Sequence, residues 1–457
     1  MYSIIAKHIL YPIGETFLGT KMLRYLKELE ETQWWSLERL QELQNEKLRA
    51  LIKHAYENVP YYHCLFQEGG LTDKDIQTVK DLPKLPVLTK NDIRQNFADL
   101  IAKDSSKRKP FLNATGGSTG EPLKYYIDME VASISWAGML RGWEWAGYKL
   151  GDKRATLAGA SLIPGNPTLF KHVRSLAERD LRLSAFDMSE ERMASYTRKI
   201  TSYKPKFLRG YPSAIYVFAD YLREKGVNSI QPKAIFTTAE MLLPQHREVI
   251  EKQFGCKVFD QYGCYDGGLQ AMECSEHCGF HISVEKVIME FVDEEKKPVP
   301  AGCSGEILAT DLYSYAMPFI RYTVGDMGAL ADEQCSCGRG LPLMKSLQGR
   351  IGDFITTPDG KKIHGEFFSH IFWGMTSFMQ FQVIQESLDN LVIKVVPYST
   401  ADQSKLQEEV QRISEIVRMR TGAMNVNIEF VDEIPTTKAG KYRFIISRIT
   451  EETAGLH

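Results

Sequence analysis

The sequence lacks an excess of charge of either sign. Its 457 residues include 56 Lys and Arg against 58 Asp and Glu, which leaves a formal net charge of -2. Nucleic-acid-binding domains carry a basic surface, so this balance argues against nucleic acid and favours small molecules as partners. Hydrophobic residues make up 43% and charged residues 25% of the chain, which is typical of a globular protein.

Long apolar runs and a secretory leader are also missing. The apolar residues 4–6 are followed by Lys7 and His8, and no run reaches the ~20 apolar residues of a membrane-spanning helix. The N-terminus has neither the basic start nor the small-residue cleavage site of a signal peptide. We therefore expect a cytoplasmic protein without a transmembrane segment. Residues 2–25 could lie on a membrane surface, but a packed amphipathic helix is the favoured interpretation.

A Walker phosphate-binding loop is absent as well, because no Gly-Lys-Ser/Thr precedes a helical pattern. Instead, residues 115–122 combine three glycines with three hydroxyl residues. Glycines let the backbone approach an anion closely, and Ser118, Thr119 and the N–H groups around Gly120 can donate to phosphate oxygens. Apolar and β-rich stretches flank this segment. We predict a hairpin with a phosphate-binding loop, the alternative being an ordinary surface turn.

Helical and strand patterns alternate along the chain, which is long enough for two or three domains. Residues 15–57 are expected to be helical because leucines recur at three- and four-residue spacing. Short β-type runs then alternate with helical stretches such as 190–203, which indicates α/β layers around a largely parallel sheet. Antiparallel strands are predicted at 306–310 and 319–322. Beyond about residue 350 the pattern becomes α+β, with strands at 380–385, 391–396 and 425–430 and a helix at 404–420.

Four of the eight cysteines fall into two tight clusters. Cys274 and Cys278 lie shortly before His281, and Cys335 and Cys337 stand one residue apart. In a chain without an export signal, such clusters favour metal binding over disulfides. Zinc takes four ligands, and two ligand pairs on separate loops are typical of a structural site. We expect a structural zinc site here; buried free thiols are the alternative.

Five motifs, taken in order, resemble the core motifs of adenylate-forming enzymes. They stand at 115–122, 260–266, 321–326, 349–355 and 435–441. Further segments are similar to the phenylacetate-CoA ligase branch, and most of all to its CapK-like members associated with capsular polysaccharide biosynthesis. These segments are 210–213, 237–244, 315–322, 335–340 and 364–366. The resemblance extends from about residue 35 to residue 449.

The resemblance implies an α/β fold with a large multi-layer N-terminal domain over 1–349, built on mixed and parallel sheets. That domain would include the N-terminal helical region and the zinc site. A hinge at 350–354, with Asp353 at its pivot, would connect it to a small mobile α+β domain over 355–457. The implied reaction is attack of a carboxylate on the α-phosphate of ATP, which gives an acyl adenylate and pyrophosphate.

The same resemblance assigns roles to the nucleotide-binding residues. Ser118, Thr119 and Gly120 would hold the leaving phosphates. Asp326 would accept both ribose hydroxyls, and Tyr262 would offer a flat face to adenine with Glu240 nearby.

Two basic residues near the hinge and the C-terminus also receive roles. Lys441 would be the catalytic cation, reaching the substrate carboxylate and the α-phosphate when the small domain closes. Without the ordered motifs, Lys441 would be interpreted as a solvated surface lysine. Arg350 is expected to bind the nucleotide, with a hinge salt bridge as the alternative.

The metal positions depart in part from the family pattern. The family usually places Glu where this chain has Asp266, as a ligand for Mg²⁺. Asp keeps the charge but is one methylene shorter, so the ion would be held through water or less tightly. For zinc, similar CapK-like sequences carry ligands at four of the five candidate positions, with position 278 usually not cysteine. The expected ligands are Cys274, His281, Cys335 and Cys337, with Cys278 as the alternate fourth.

The expected function is that of an ATP-dependent ligase which passes the activated acyl group to a thiol, with coenzyme A as the expected acceptor. Two alternatives remain open. The acyl group could pass to an amine in surface polysaccharide biosynthesis, or the chain could be a non-catalytic, nucleotide-binding zinc protein. The partner would be a small-molecule carboxylate that the sequence does not identify. The oligomeric state is also left open.

Overall fold

The computed structural model describes residues 2–115, 123–159, 178–350, 354–359, 362–372, 375, 377–398, 401–437 and 442–449. The predicted phosphate loop at 116–122, the hinge residues 351–353 and Lys441 lie outside these described residues. None of the helices within them combines the length and the apolar character that crossing a bilayer requires.

The N-terminal region is helical, as expected, but it is divided into several helices. They are α1 (Tyr2–Ile5), a π-helical segment (Ala6–Leu10), α2 (Tyr11–Leu18), α3 (Met22–Thr32), α4 (Leu37–Asn58), α5 (Pro60–Glu68) and α6 (Lys90–Gln95), with short 3-10 helices at Asp73–Asp75, Val79–Lys84 and Ser105–Arg108. The expected helical region 15–57 is therefore not continuous. Gly19, with φ of 65°, ends α2, and Ser36 caps α4 by accepting from the Arg39 N–H.

The central part of the chain forms the main sheet and its helices. These elements are β1 (Phe111–Ala114), β2 (Lys124–Ile127), α7 (Met129–Trp145), β3 (Arg154–Ala158), β4 (Asp180–Ser184), α8 (Glu190–Tyr203), β5 (Phe207–Gly210), α9 (Pro212–Glu224), β6 (Ala234–Thr238), α10 (Pro244–Phe254), β7 (Lys257–Gly263), β8 (Gln270–Glu273), β9 (Phe280–Ile282), β10 (Val287–Val292), β11 (Ser304–Asp311), β12 (Tyr322–Leu330) and β13 (Leu343–Arg350). Eleven of the strands form one sheet in the order β10-β11-β12-β13-β9-β8-β7-β6-β5-β3-β4.

This sheet is mixed, and the expectation of a largely parallel sheet is only half right. The strands β3 to β7 pair in parallel, whereas β7 to β13 pair antiparallel. The strand predicted at 319–322 is wrong except for its last residue, because β12 spans Tyr322–Leu330. Arg321 adopts a φ of 51°, which interrupts extended backbone, so β12 begins at Tyr322.

The hairpin predicted around the glycine-rich segment is confirmed. Strands β1 and β2 pair antiparallel from Phe111 opposite Ile127 to Ala114 opposite Lys124. Beyond the last pair, the Thr115 N–H donates to the Leu123 carbonyl oxygen at 2.9 Å. The two ends of segment 116–122 are therefore held next to each other.

The C-terminal part has its own small sheet. Its elements are β14 (Phe354–Thr356), β15 (Lys362–His364), α11 (Gly365–Phe372), β16 (Phe378–Ser387), β17 (Asn390–Pro397), α12 (Gln403–Thr421), β18 (Asn425–Phe430) and β19 (Ile445–Ser447). Four strands form a sheet in the order β18-β17-β16-β19. Buried residues of β16, β17 and α12, such as Val383, Ile393 and Ile413, form its core, and Leu243 of the N-terminal part joins the same cluster. The predicted α/β class with a smaller α+β unit is confirmed.

Candidate active site

The candidate site lies at the carboxyl ends of β6 and β7. These strands are parallel neighbours, with Thr238 opposite Gln261. Glu240 lies in the loop after β6, and Tyr262 is the second-to-last residue of β7. Both loops therefore leave the same edge of the sheet, which is where open α/β sheets bind their ligands.

Tyr262 is in direct contact with Asp326, the residue expected to bind ribose. The phenol hydroxyl of Tyr262 donates to Oδ2 of Asp326 at 2.9 Å. Asp326 lies on β12 and stands opposite Arg350 in the antiparallel β12–β13 pair. Two strands far apart in sequence thus position this carboxylate. The backbone of Arg350 lies beside it, while the Arg350 side chain is outside the described part of the structure.

Asp266, the expected Mg²⁺ residue, is held by a second tyrosine. The Tyr322 hydroxyl donates to Oδ2 of Asp266 at 3.0 Å, and the Cys264 thiol donates to the Asp266 backbone carbonyl oxygen at 2.9 Å. Burial, reinforced by the nearby charge of Asp266, raises the pKa of Tyr322, so its phenol keeps the proton that it donates. A carboxylate fixed in this way offers the oxygen ligand chemistry that Mg²⁺ prefers.

The loop around Asp266 requires glycine at its next turn. Gly268 has φ of 71°, and a Cβ there would lie 2.2 Å from Oδ2 of Asp311. The Lys286 ammonium also donates to the Gly268 carbonyl oxygen, so the turn is held from two sides. The position of Asp266 therefore depends on close backbone packing as well as on Tyr322.

Glu240 connects the N-terminal part to the end of the chain. Its Oε2 accepts from the Ser213 N–H at 3.1 Å, and its Oε1 accepts from the Tyr442 N–H at 2.6 Å. Ser213 lies in the first turn of α9, where backbone N–H groups lack helical acceptors and a carboxylate is favourable. Tyr442 is the residue after Lys441 in the sequence, and this contact holds Tyr442 at the edge of the candidate site.

A cavity of about 520 Å³ separates α9 and α10 from the C-terminal sheet. On its wall the hydroxyls of Tyr216 and Tyr398 are 2.9 Å apart and form a hydrogen bond between the two parts of the chain. His246 stacks on Tyr216 with ring centroids 4.2 Å apart. Burial lowers the pKa of His246 to about 3, so this imidazole is neutral in the folded chain.

The cysteine clusters meet away from the nucleotide residues, beside β9 and β13. The ligand atoms of Cys274, His281, Cys335 and Cys337 all lie within 4.8 Å of one another. The Cys274 and Cys335 sulfur atoms are 3.6 Å apart, and the Cys337 sulfur is 3.3 Å from Nε2 of His281. Ligand atoms of a tetrahedral zinc site lie roughly 3.5–3.8 Å apart, so the spacing fits this metal.

The surroundings of His281 also suit a metal ligand. Its Nδ1 donates to the Leu341 carbonyl oxygen at 3.2 Å, which directs Nε2 toward the sulfur atoms. Burial lowers the pKa of His281 to about 4, and a neutral imidazole is the form that binds metal. Cys278 is exposed but its sulfur is only 3.3 Å from that of Cys335, so it stands close enough to serve as an alternate ligand.

Both parts of the chain are similar to known proteins. Residues 355–448 match the CapK C-terminal domain family. A phenylacetate-coenzyme A ligase of Pseudomonas putida is 31% identical over 304 residues, a match that covers 65% of this chain and 67% of that protein. The chain belongs to the phenylacetate-CoA ligase family of adenylate-forming enzymes. The expected family is thereby confirmed.

Further comparisons match a larger part of this chain. Protein CapK of Staphylococcus aureus is 28% identical over 422 residues, covering 89% of each chain. The solved structure of 2-hydroxyisobutyryl-CoA ligase in the postadenylation state, with R3-HIB-AMP, has a TM-score of 0.76 at 21% identity and covers 93% of this chain and 92% of that chain. The same ligase with 2-HIB-AMP and CoA in the thioesterification state has a TM-score of 0.60 at 22% identity and covers 91% of each chain. At these identities the likeness shows the fold.

The expected nucleotide and catalytic residues of this ligase-family chain fall into two groups, apart from Arg350, of which only the backbone is described. Glu240, Tyr262, Asp266 and Asp326 are described and line one edge of the sheet, as the contacts above show. The phosphate-loop residues and the catalytic lysine lie outside the described residues; they are Ser118, Thr119, Gly120 and Lys441. Their roles stay predictions.

The structure adds three tyrosines to which the sequence assigned no role in the site. Tyr322 holds Asp266, and Tyr442 donates its N–H to Glu240. Tyr125, on the strand after the phosphate loop, is buried and accepts from the Asn113 side-chain amide at 3.0 Å. Burial, with the charge of Asp266, raises the pKa of Tyr125. The sequence signals were weak: Tyr322 lies in the 321–326 motif, Tyr442 follows Lys441, and Tyr125 lies in the β-rich stretch after the phosphate loop.

Proposed function

We propose that this chain activates a carboxylic acid with ATP through an acyl adenylate and then transfers the acyl group to coenzyme A. The observation that carries the proposal is the hydrogen bond from the Tyr442 N–H to Glu240. Consecutive Cα atoms are about 3.8 Å apart. The segment that carries Lys441 therefore ends at a residue expected beside the adenine, and family membership supports the same reaction.

The reaction joins two anions, so fixed donors and cations are needed where negative charge develops. A carboxylate oxygen would attack the α-phosphorus while the bond to pyrophosphate breaks. Asp326, oriented by Tyr262, would bind the ribose hydroxyls, and Ser118, Thr119 and Gly120 would hold the departing phosphates. Lys441 would neutralise charge between the carboxylate and the α-phosphate.

Mg²⁺ would accompany ATP in this scheme. Asp266 would bind the ion directly or through water, with Tyr322 fixing the carboxylate from the other side. Bound there, the ion would offset charge on the phosphates. Arg350, opposite Asp326 on β13, would contact the nucleotide or stabilise the hinge.

Domain rotation would allow one pocket to serve both steps. We propose an N-terminal domain over 1–349, a hinge at 350–354 and a mobile domain over 355–457. The higher TM-score to the postadenylation state than to the thioesterification state supports an adenylation-type arrangement for this structure. The Tyr216–Tyr398 hydrogen bond and the Tyr442–Glu240 contact would then break when the small domain rotates.

Coenzyme A is the proposed acceptor because the ligases in the comparisons are CoA ligases. Exchange of labelled pyrophosphate into ATP with a panel of carboxylic acids tests the first step. The acid that supports exchange is then offered with coenzyme A or with amino sugars and amino acids. A thioester product supports the proposal. An amide product would instead favour transfer of the acyl group to an amine in surface polysaccharide biosynthesis. If the folded protein supports no pyrophosphate exchange with any acid of a wide panel, a non-catalytic nucleotide-binding protein would be favoured. ATP is an intracellular substrate, so a cytoplasmic location is part of this proposal.

A structural zinc ion is proposed at Cys274, His281, Cys335 and Cys337. The ligand spacing and the neutral His281 support it. The ion would fix the loop between β12 and β13 to β9, and β12 carries Asp326. Its contribution would be to stability and would not include chemistry on the substrate.

A further inference from the structure

The N-terminal helix presents a row of apolar side chains to solvent. The segment from Tyr2 to Leu18 is continuously helical, because the residues joining α1, the π-helical segment and α2 keep right-handed helical angles. Phe17 is 82% exposed, Ile13 is 52% exposed and Ile9 is 51% exposed. Ile4, Ile5 and Leu10 are exposed as well. Single exposed apolar residues are ordinary, but six on one short helix form a patch that marks an interaction site.

A second face of the same helix, which carries Tyr2 and Ala6, is fixed to the body of the protein. Ala6 is fully buried, and Gly151 approaches so closely that a Cβ there would lie 2.8 Å from the Ala6 Cβ. The Arg179 guanidinium lies 4.4 Å from the ring centroid of Tyr2. The apolar row therefore faces outward because the other face is already packed.

The π-helical segment aligns this row. Ile5, Ile9, Ile13 and Phe17 are each four residues apart. In an α-helix each four-residue step drifts by about 40° around the axis. A π-helix holds more residues per turn, so Ala6–Leu10 reverses part of this drift and keeps the four side chains on one face.

The basic and acidic side chains of the helix also differ in exposure. Lys7 and His8 are exposed. Glu15, the only acidic residue of the helix, is turned toward the protein, where Oε1 accepts from the Leu23 N–H at 2.9 Å. Lys7 has Glu30 at 3.6 Å, yet its side chain stays 46% exposed. The outward surface is thus apolar with the cation Lys7 and the imidazole of His8 exposed beside it, while the one carboxylate of the helix is turned inward, which suits an anionic surface.

We propose that this helix docks the protein on an anionic lipid bilayer, with Ile5, Ile9, Ile13 and Phe17 inserted at the interface. The four side chains of this row, with Ile4 and Leu10 beside it, form one narrow strip on a single helix, which is smaller than the ~800 Å² per partner of a stable protein interface. A helix with an exposed apolar face and a cationic side chain beside it is suited to binding in the plane of a bilayer. The apolar face would lie among the acyl chains while Lys7 and His8 contact headgroup phosphates.

Vesicle sedimentation of the full chain tests the proposal. We expect binding to vesicles of phosphatidylcholine with phosphatidylglycerol, and at least about fivefold weaker binding to phosphatidylcholine alone. The double variant Ile13→Glu with Phe17→Glu is expected to lower the partition coefficient at least about tenfold. Both residues are exposed, so the melting temperature should not change. The matched control is Phe430→Glu, which replaces a 52% exposed aromatic on β18 and should bind like the wild type.

Two results would overturn the proposal. One is vesicle binding that is absent, or equal in the wild type and the double variant. The other is a wild-type dimer, measured by light scattering, that the same double substitution converts to monomer without any effect of vesicles. In that case a second copy of the chain covers the row.

Discussion

The backbone N–H of Tyr442 donates to Oε1 of Glu240 at 2.6 Å, across 202 positions of sequence. The carboxylate accepts a second N–H, from Ser213 in the first turn of α9, so it joins a helix N-terminus to the end of the C-terminal sheet. Hydrogen bonds to a charged acceptor contribute about 1.5–3 kcal/mol each. This relationship holds Tyr442, the residue after Lys441 in the sequence, at the edge of the sheet that is proposed to bind the nucleotide.

Glu240→Gln is expected to weaken adenylate formation about tenfold, because the neutral amide offers one acceptor oxygen for two N–H donors. Acyl transfer from preformed adenylate should change less than threefold, since the contact would belong to the proposed arrangement before rotation. Single-turnover measurements of each half-reaction provide the comparison. Glu224→Gln, an exposed residue at the end of α9, is the control and should leave both rates unchanged. Equal losses in the two half-reactions would contradict a state-specific contact.

Tyr322→Phe is expected to raise the Mg²⁺ concentration for half-maximal adenylation about tenfold. The substitution removes only the hydroxyl that donates to Asp266, and loss of such a supporting contact typically weakens a metal site 10–100-fold. The measurement is a Mg²⁺ titration at saturating ATP. Tyr262→Phe is the matched control: it removes the donor to Asp326 and should raise the KM for ATP without a comparable change in Mg²⁺ demand. Identical Mg²⁺ curves for Tyr322→Phe and the wild type would remove Asp266 from the metal site.

Cys335→Ser is expected to lower zinc content from about one ion per chain to near zero, and stability by about 3 kcal/mol. The reason is that this sulfur lies within contact of both Cys274 and Cys278, so it is central to the cluster. Metal analysis and denaturant unfolding measure the two quantities on the same sample. The exposed Cys303 provides the control variant Cys303→Ser, with full zinc and stability within about 0.5 kcal/mol. Full occupancy in Cys335→Ser would show that the zinc ligands lie elsewhere.

Acid is expected to destabilise the chain through His246. Its folded pKa is lowered to about 3 from the ordinary 6.5 by burial, so between these values the unfolded chain binds the proton and the folded chain does not. The contribution of His246 to the free energy of unfolding is therefore fully present above pH 6.5 and decreases as the pH falls toward 3. At pH 5 the free energy of unfolding is lower by about 2 kcal/mol. His246→Phe keeps a ring against Tyr216 and should reduce the loss between pH 7 and pH 5. Urea unfolding at both pH values measures it, and parallel losses in variant and wild type would contradict the assignment.

Local patterns explain what could be predicted from the sequence. The helix Glu190–Tyr203 and the strand Asn425–Phe430 have the predicted bounds because their periodicity and end signals are contained in the segment itself. The β1–β2 hairpin is similar, since the glycine-rich loop requires its flanks to turn back. The carboxyl ends of the parallel strands β6 and β7 bring Glu240, Tyr262 and Asp266 to one edge, whereas Asp326 on β12 belongs to the antiparallel half of the sheet and meets Tyr262 there.

Long-range pairing explains what was missed. Strand β9 pairs with β13 across some 60 residues, and no local pattern in the two segments records which strand will be the neighbour. The mixed character of the sheet follows from such pairings. The role of Tyr322 could not be predicted for the same reason, because it depends on a contact with Asp266, which lies 56 positions earlier. The exposed side of the N-terminal helix 2–18 was also unpredictable, because its packed side is set by the contacts of Tyr2 with Arg179 and of Ala6 with Gly151.

The proposal that Lys441 is the catalytic cation of acyl-adenylate formation has a decisive test. It is carboxylate-dependent exchange of pyrophosphate into ATP, measured side by side for the wild type and Lys441→Ala. We expect exchange in the wild type and at least about a 100-fold lower exchange rate in Lys441→Ala, because Lys441 would stabilise charge that develops in the transition state. The affinity for ATP, measured by calorimetry, should stay within about threefold of the wild type, because ground-state binding does not depend on that charge. Exchange at the wild-type rate in Lys441→Ala would contradict it.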